Sequence, residues 1–271
     1  MSPTSSEPFF RDAGTGPGVV CLHANASTSA QWRGLIDLLA PTCRVLAPDL
    51  YGAGKSPEWS SDRHISLHDE AAFIEPVLAR AGTPLALVGH SYGAAVALIA
   101  ALAAPTRLRA LVLYEPPLFS LLDAETPPPN EADEIRRVVR EASGAVEAGD
   151  LDAAARRFID YWMGDGSWEQ MPEQRKAPIA ASIVNVGRWG HALLTAPTPL
   201  EAFRSLQVPV LYMIGTSTPA SARAVARILT GTLPNVEVVE LEGLGHMGPV
   251  THPQVVNPVI TRFLRRATTH S

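Results

Sequence analysis

The chain has 271 residues, of which 46% are hydrophobic and 18% charged, with a net charge of −5. That length suits one α/β domain with an insertion, and the apolar content supports a sizeable core and excludes a disordered polyelectrolyte. The acidic balance argues against a nucleic-acid partner, and no run of about 18 apolar residues is present to span a bilayer.

At the amino end, MSPTSSEPFFRD lacks a basic stretch followed by an apolar one, so no secretion leader is expected. Cys21 and Cys43 are the two cysteines; their spacing matches no metal motif and suits reduced thiols in a cytoplasmic protein. Strand-like runs then recur along the chain: residues 18–23, 44–49, 85–90, 110–115, 208–215 and 236–243. Each reads as short, rich in β-formers and apolar on both faces, the pattern of parallel strands covered by helices. Helical periodicity fills the intervals at 66–81, 92–104, 219–230 and 253–267. The alternation predicts an α/β fold, a doubly wound and mostly parallel sheet.

The rhythm breaks after residue 116. A loop-like TPPPN at 126–130, with Asn130 placed to cap a helix, is followed by three helical stretches, 131–148, 150–164 and 176–194. The division expected is a core of residues 8–116, a helical lid at 117–205 and a second core part at 206–271. A separate helical domain remote from any site is the alternative. Tyr161, Trp162, Trp168 and Trp189 in this insertion either line an apolar substrate pocket or form its own core.

Gly89-His90-Ser91-Tyr92-Gly93 lies where the strand LALVGH meets the helix YGAAVALIAALAA. A serine on such a turn needs small neighbours, because the backbone takes a conformation that side chains crowd. The helix amino terminus behind Ser91 favours an anion there. With these residues the chain resembles the α/β-hydrolase family from about residue 8 onward. LHANASTSAQW (22–32) looks like the family's His-Gly loop, with Ala24 in place of the usual glycine; APDLYGAGKS (47–56) and LEGLGHMGPVTHP (241–253) look like two further family segments.

The resemblance implies a nucleophilic Ser91, a catalytic His246 flanked by Gly245 and Gly248, and an oxyanion hole made by the backbone N–H groups of Asn25 and Tyr92. Of the other histidines, His23 resembles a structural loop residue, and His90 should point away from Ser91. His64, His68, His191, His252 and His270 suit solvated surface roles.

The acid is less direct. The loop where it most often stands, Thr216-Ser217-Thr218-Pro219, offers hydroxyls, which cannot stabilise an imidazolium by charge. Glu115 ends an earlier strand, and Pro116-Pro117 stops the ladder there. In some family members, haloalkane dehalogenases among them, the acid follows that strand, so Glu115 is the expected third residue. Asp123 and Glu125 are weaker candidates, while Asp49 suits fixing its own turn.

The activity implied is hydrolysis of a small-molecule carboxylic ester, lactone or thioester through an acyl-serine. A carbon–carbon bond hydrolase or a cofactor-free haloperoxidase could use the same residues, and a catalytically lapsed ligand receptor is the non-enzyme alternative. Dehalogenation and epoxide opening do not fit, because a serine alkyl ether has no easy hydrolytic exit. No cofactor or metal motif is present; Gly52-Ala53-Gly54 reads as a turn.

Overall fold

The computed structural model describes residues 7–268; His270 and the first six residues lie outside it. Seven strands form one sheet in the order β1-β3-β2-β4-β5-β6-β7. They span Phe10–Ala13 (β1), Gly18–Leu22 (β2), Arg44–Pro48 (β3), Leu85–His90 (β4), Leu108–Tyr114 (β5), Val210–Gly215 (β6) and Val236–Leu241 (β7). The β1–β3 pair is antiparallel, in the register Phe10↔Pro48, and the remaining pairs are parallel.

Alternate residues of the central strands feed two separate cores. Val20, Leu22, Leu85, Leu87, Leu111 and Leu113 face one cluster; Val19, Cys21, Ala86, Val88, Ala110 and Val112 face the other. Such strands must be apolar throughout, since each buried Val or Leu contributes about 1.5–3 kcal/mol. The second cluster is closed by α1 (Arg33–Leu39) and by a helix at Pro253–Thr268; the first by α2 (Leu67–Phe73), α3 (Glu75–Ala81) and α4 (Tyr92–Ala103). Cys21 and Cys43 are buried free thiols.

Three features depart from the sequence expectations. β1 carries Arg11 and Asp12 in four residues and is too short and polar to show a strand pattern. β7 is not apolar on both faces: it is the sheet's other edge, where Glu237, Val238 and Glu240 are exposed. Residues 66–81 form two helices, because Pro76 lacks the N–H that a continuous helix would donate to Ala72. The first of the two starts in a capping box between Ser66 and Asp69.

Between β5 and β6 the chain is helical: α5 (Ser120–Glu125), α6 (Asp133–Glu147), α7 (Leu151–Met163), α8 (Ser167–Gln170), α9 (Glu173–Ser182) and α10 (Val186–Leu194). Asn130 caps the turn before α6, its side-chain oxygen accepting from Ala132 N–H at 2.9 Å. After β6 come α11 (Ala220–Thr232), then α12 (Gly248–Thr251) and α13 (Pro253–Thr268) on either side of His252. Tyr161 of α7 hydrogen-bonds Ser221 of α11 at 2.6 Å, which ties the helical segment to the sheet's carboxyl end.

Candidate active site

Sheet order reverses at β2 and β4, the crossover where an open α/β sheet leaves a crevice beyond its strand ends. The loop after β2 carries Asn25, and the turn after β4 carries Ser91. Ser91 has φ +52° and ψ −123°, a conformation that costs on the order of 1–3 kcal/mol and points the hydroxyl into the crevice mouth. Its neighbours must be small. A Cβ on Gly89 would come within 2.4 Å of Ala94 Cα, and one on Gly93 within 2.4 Å of Leu22 O.

Three side chains then line up. His246 Nε2 lies 2.7 Å from Ser91 Oγ, and His246 Nδ1 lies 2.7 Å from Glu115 Oε2. An N–H on Nδ1 donates to the carboxylate, which leaves Nε2 free to accept the serine proton. Glu115 is fully buried and its backbone is also left-handed, at φ +45°. It accepts two further bonds, from Gly215 N–H at 2.7 Å and from Thr218 Oγ1–H at 2.6 Å. The loop that lacks a carboxylate therefore supplies donors to one standing on the adjacent strand. The weaker acid candidates are engaged elsewhere, Asp123 with Arg136 and Glu125 with Arg227.

Asn25 lines the cavity above Ser91, and Tyr92 opens α4 directly after it. Among the described residues neither backbone N–H has a hydrogen-bond partner, so both are free for an oxyanion. Ala24 needs no left-handed backbone. The strained residue of this loop is Ala26, at φ +53°, which explains how an alanine stands where the family pattern has glycine. The loop is held by His23, whose Nδ1–H donates to Ala24 O at 2.7 Å while Nε2 accepts Leu50 N–H at 3.0 Å. Asp49 fixes its turn by accepting from Ser29 N–H (2.7 Å) and Lys55 N–H (3.0 Å).

The two residues that precede Ser91 and Glu115 hold the histidine loop. Tyr114 OH donates to Gly245 O at 2.8 Å. His90 Nε2–H donates to His246 O at 2.8 Å, and its Nδ1 accepts from Gln31 Nε2 at 3.0 Å. Gln31 Oε1 accepts Ala24 N–H at 3.2 Å, so one chain of bonds joins the oxyanion loop to the histidine loop. Burial keeps His90 well below the ordinary histidine pKa, hence neutral and fit for this donor–acceptor role. Sequence reading placed His90 correctly away from Ser91 but gave it no task, and it missed Gln31. Replacing Gln31 with methionine, similar in size but without these bonds, should lower kcat on a short ester about tenfold or more with KM near wild type. Steady-state kinetics beside a melting curve would show it; an unchanged kcat would leave the chain without function.

Glu70 lies beneath Tyr92, buried, with Tyr92 OH 3.3 Å from Oε1 and Tyr51 N–H 3.3 Å from Oε2. Burial raises its pKa from 4.5 to about 8. The folded state thus keeps a proton that the unfolded chain loses above its own pKa. The stability this gives is complete below about pH 4.5 and disappears as pH rises through about 8. Glu70→Gln should therefore melt higher than wild type by about 5 °C at pH 9, with a smaller gap at pH 5. A gap that does not vary with pH would contradict the assignment.

The cavity that contains Ser91 and His246 is small, about 70 Å³, and is walled by Ala24, Phe158, Ile159, Trp162, Met171 and Val250 among others. Trp162 stacks on the His246 ring with centroids 3.9 Å apart. Trp168 and Trp189 do not line this cavity, which corrects the pocket-lining alternative for these two. Trp168 is buried within the helical segment, its indole N–H donating to Asp152 at 2.8 Å, and Trp189 lines a separate recess with Glu70 and Asn185. The three tryptophans stand on three different helices, α7, α8 and α10, so helical period does not reveal which faces inward. Two larger hollows, of about 730 and 700 Å³, contain neither Ser91 nor His246. Among the described residues no cluster of metal-ligating side chains occurs, and no helix is long and apolar enough to cross a membrane.

Residues 17–253 match the family model described as alpha/beta hydrolase fold. The chain is 27% identical over 256 residues to a pimeloyl-[acyl-carrier protein] methyl ester esterase of Yersinia enterocolitica, covering 93% of this chain and 94% of that protein. A protein of the same description from Aeromonas hydrophila is 27% identical over 263 residues, covering 93% and 96%. Among solved structures, an alpha/beta hydrolase from Sphaerobacter thermophilus superposes with a TM-score of 0.73 at 27% identity, covering 94% of this chain and 95% of that one.

Proposed function

This chain belongs to the α/β-hydrolase fold family and is a hydrolase of carboxylic esters, and we propose that it works through an acyl-serine at Ser91. The observation that carries this reading is the buried line Ser91–His246–Glu115, with both links at 2.7 Å. As Ser91 Oγ attacks the ester carbonyl, His246 Nε2 takes its proton. The carbonyl oxygen becomes an alkoxide and accepts from Asn25 and Tyr92 N–H. His246 then returns the proton to the departing alkoxide, and the alcohol leaves an acyl ester on Ser91. Water enters, loses its proton to the same nitrogen and attacks the acyl carbon; collapse releases the acid and restores the serine. Glu115 holds the Nδ1–H tautomer and stabilises the imidazolium.

The helices of residues 117–205 act in this reading as a lid, with Trp162 covering the imidazole and Phe158 and Ile159 roofing the acyl site. A small-molecule ester is the substrate expected of a cavity this confined. The buried unpaired thiols suit a cytoplasmic setting. Hydrolysis rates on matched methyl esters, thioesters, lactones and β-diketones test the reaction class: esters should be turned over fastest, and a rate confined to β-diketones would replace this reading with carbon–carbon cleavage.

A further inference from the structure

The walls of the Ser91 cavity are mostly apolar, with Asn25, Ser27, Ser91 and His246 as polar members and one fixed charge among the described residues: Arg175. It stands on α9 four residues before Ile179, and both side chains line the cavity, as does Met171 just ahead of the helix. Residues i and i+4 share a helix face, so Arg175 belongs to the face turned toward the site. The neighbouring charges are occupied elsewhere. Glu173 pairs with Lys176 at 3.4 Å, the Lys176 ammonium lies over the Trp168 ring, and Glu169 pairs with Arg156. Among the described residues the Arg175 guanidinium has no ion pair or side-chain hydrogen bond, and no carboxylate lines the cavity. Arg175 is itself exposed, so its charge stays hydrated at the edge of the cavity, and a guanidinium fits a carboxylate with two parallel bonds.

We propose that Arg175 receives a carboxylate carried by the acyl half of the substrate, so that the preferred esters are monoesters of short dicarboxylic acids. The assignment to the acyl half follows from size: a space of about 70 Å³ takes one half of an ester, the half that stays bonded to Ser91 through both steps. The inference rests on the acyl-serine reading above.

Monomethyl succinate and methyl 4-methylpentanoate have nearly the same shape and differ in charge. Wild-type kcat/KM should favour the succinate by about tenfold or more at low salt, and the preference should shrink as ionic strength rises. Arg175→Gln should erase the preference while changing the neutral ester by less than about threefold. Arg175→Lys should keep part of it, and Arg175→Glu should turn it into a preference for the neutral ester. Equal rates on the two esters in wild type, or a Gln variant that slows both alike, would overturn the proposal. So would a wild type that cleaves p-nitrophenyl acetate but neither methyl ester; failure on all three would instead overturn the acyl-serine reading beneath it.

Discussion

Glutamine in place of Glu115 should leave the protein folded and lower kcat on a short ester by about 10³–10⁴-fold. The amide can still accept the Gly215 N–H, but its NH₂ would then face Thr218 Oγ1 and His246 Nδ1, where the carboxylate accepts two protons. An amide donor turns Nδ1 into an acceptor and puts the imidazole N–H on Nε2, toward Ser91. In that tautomer the ring cannot take the serine proton. The imidazolium also loses its counter-charge at the step where it forms. KM should change little, since Glu115 is fully buried and does not line the cavity. A variant within about threefold of wild type would remove Glu115 from the mechanism and return the acid to the search.

Ser91→Ala should have the largest effect, a loss of about 10⁵-fold or more in kcat, because among the described residues no other hydroxyl hydrogen-bonds His246 Nε2. The fold should survive it. Alanine keeps the Cβ that this left-handed turn already tolerates, and the backbone bond from Ser91 N–H to Tyr114 O at 2.9 Å remains. The melting temperature should thus stay within about 2–3 °C of wild type, with the change in rate and the constancy of fold measured on the same preparation. Residual turnover of a tenth or more would mean that water, and not the serine, is the attacking group.

How much of this was legible in the sequence depends on whether a residue's role is fixed locally. Ser91 was, because the turn between β4 and α4 permits no Cβ at 89 or 93, and that constraint is written as glycine. Gly248 marks the His246 loop in the same way: a Cβ there would come within 2.2 Å of Tyr114 OH. Glu115 was expected on a different logic: no carboxylate stands at 216–219, Pro116-Pro117 ends β5, and the resemblance to family members that carry the acid after this strand implies it. The bonds that steady the site were not legible. Gln31 and His90 lie 59 residues apart, and His90 and His246 lie 156 apart, separations at which no periodicity operates. The same holds for the tryptophans, whose inward or outward direction is set by how α7, α8 and α10 turn against each other. At the sheet edges, β1 and β7 carry polar residues because one side of each meets solvent, so a rule built on buried strands misses the first and misdescribes the second.

The central claim is that the substrate's acyl group passes through a covalent bond to Ser91. Its most direct test is rapid acid quench of the enzyme with p-nitrophenyl acetate, followed by intact mass and peptide mapping. One acetyl group per chain should appear during the first turnover, together with a stoichiometric burst of p-nitrophenol, and should map to the peptide containing Ser91. Turnover with no acylated protein at any time point, or an acyl group found on another side chain and retained in Ser91→Ala, would contradict the account.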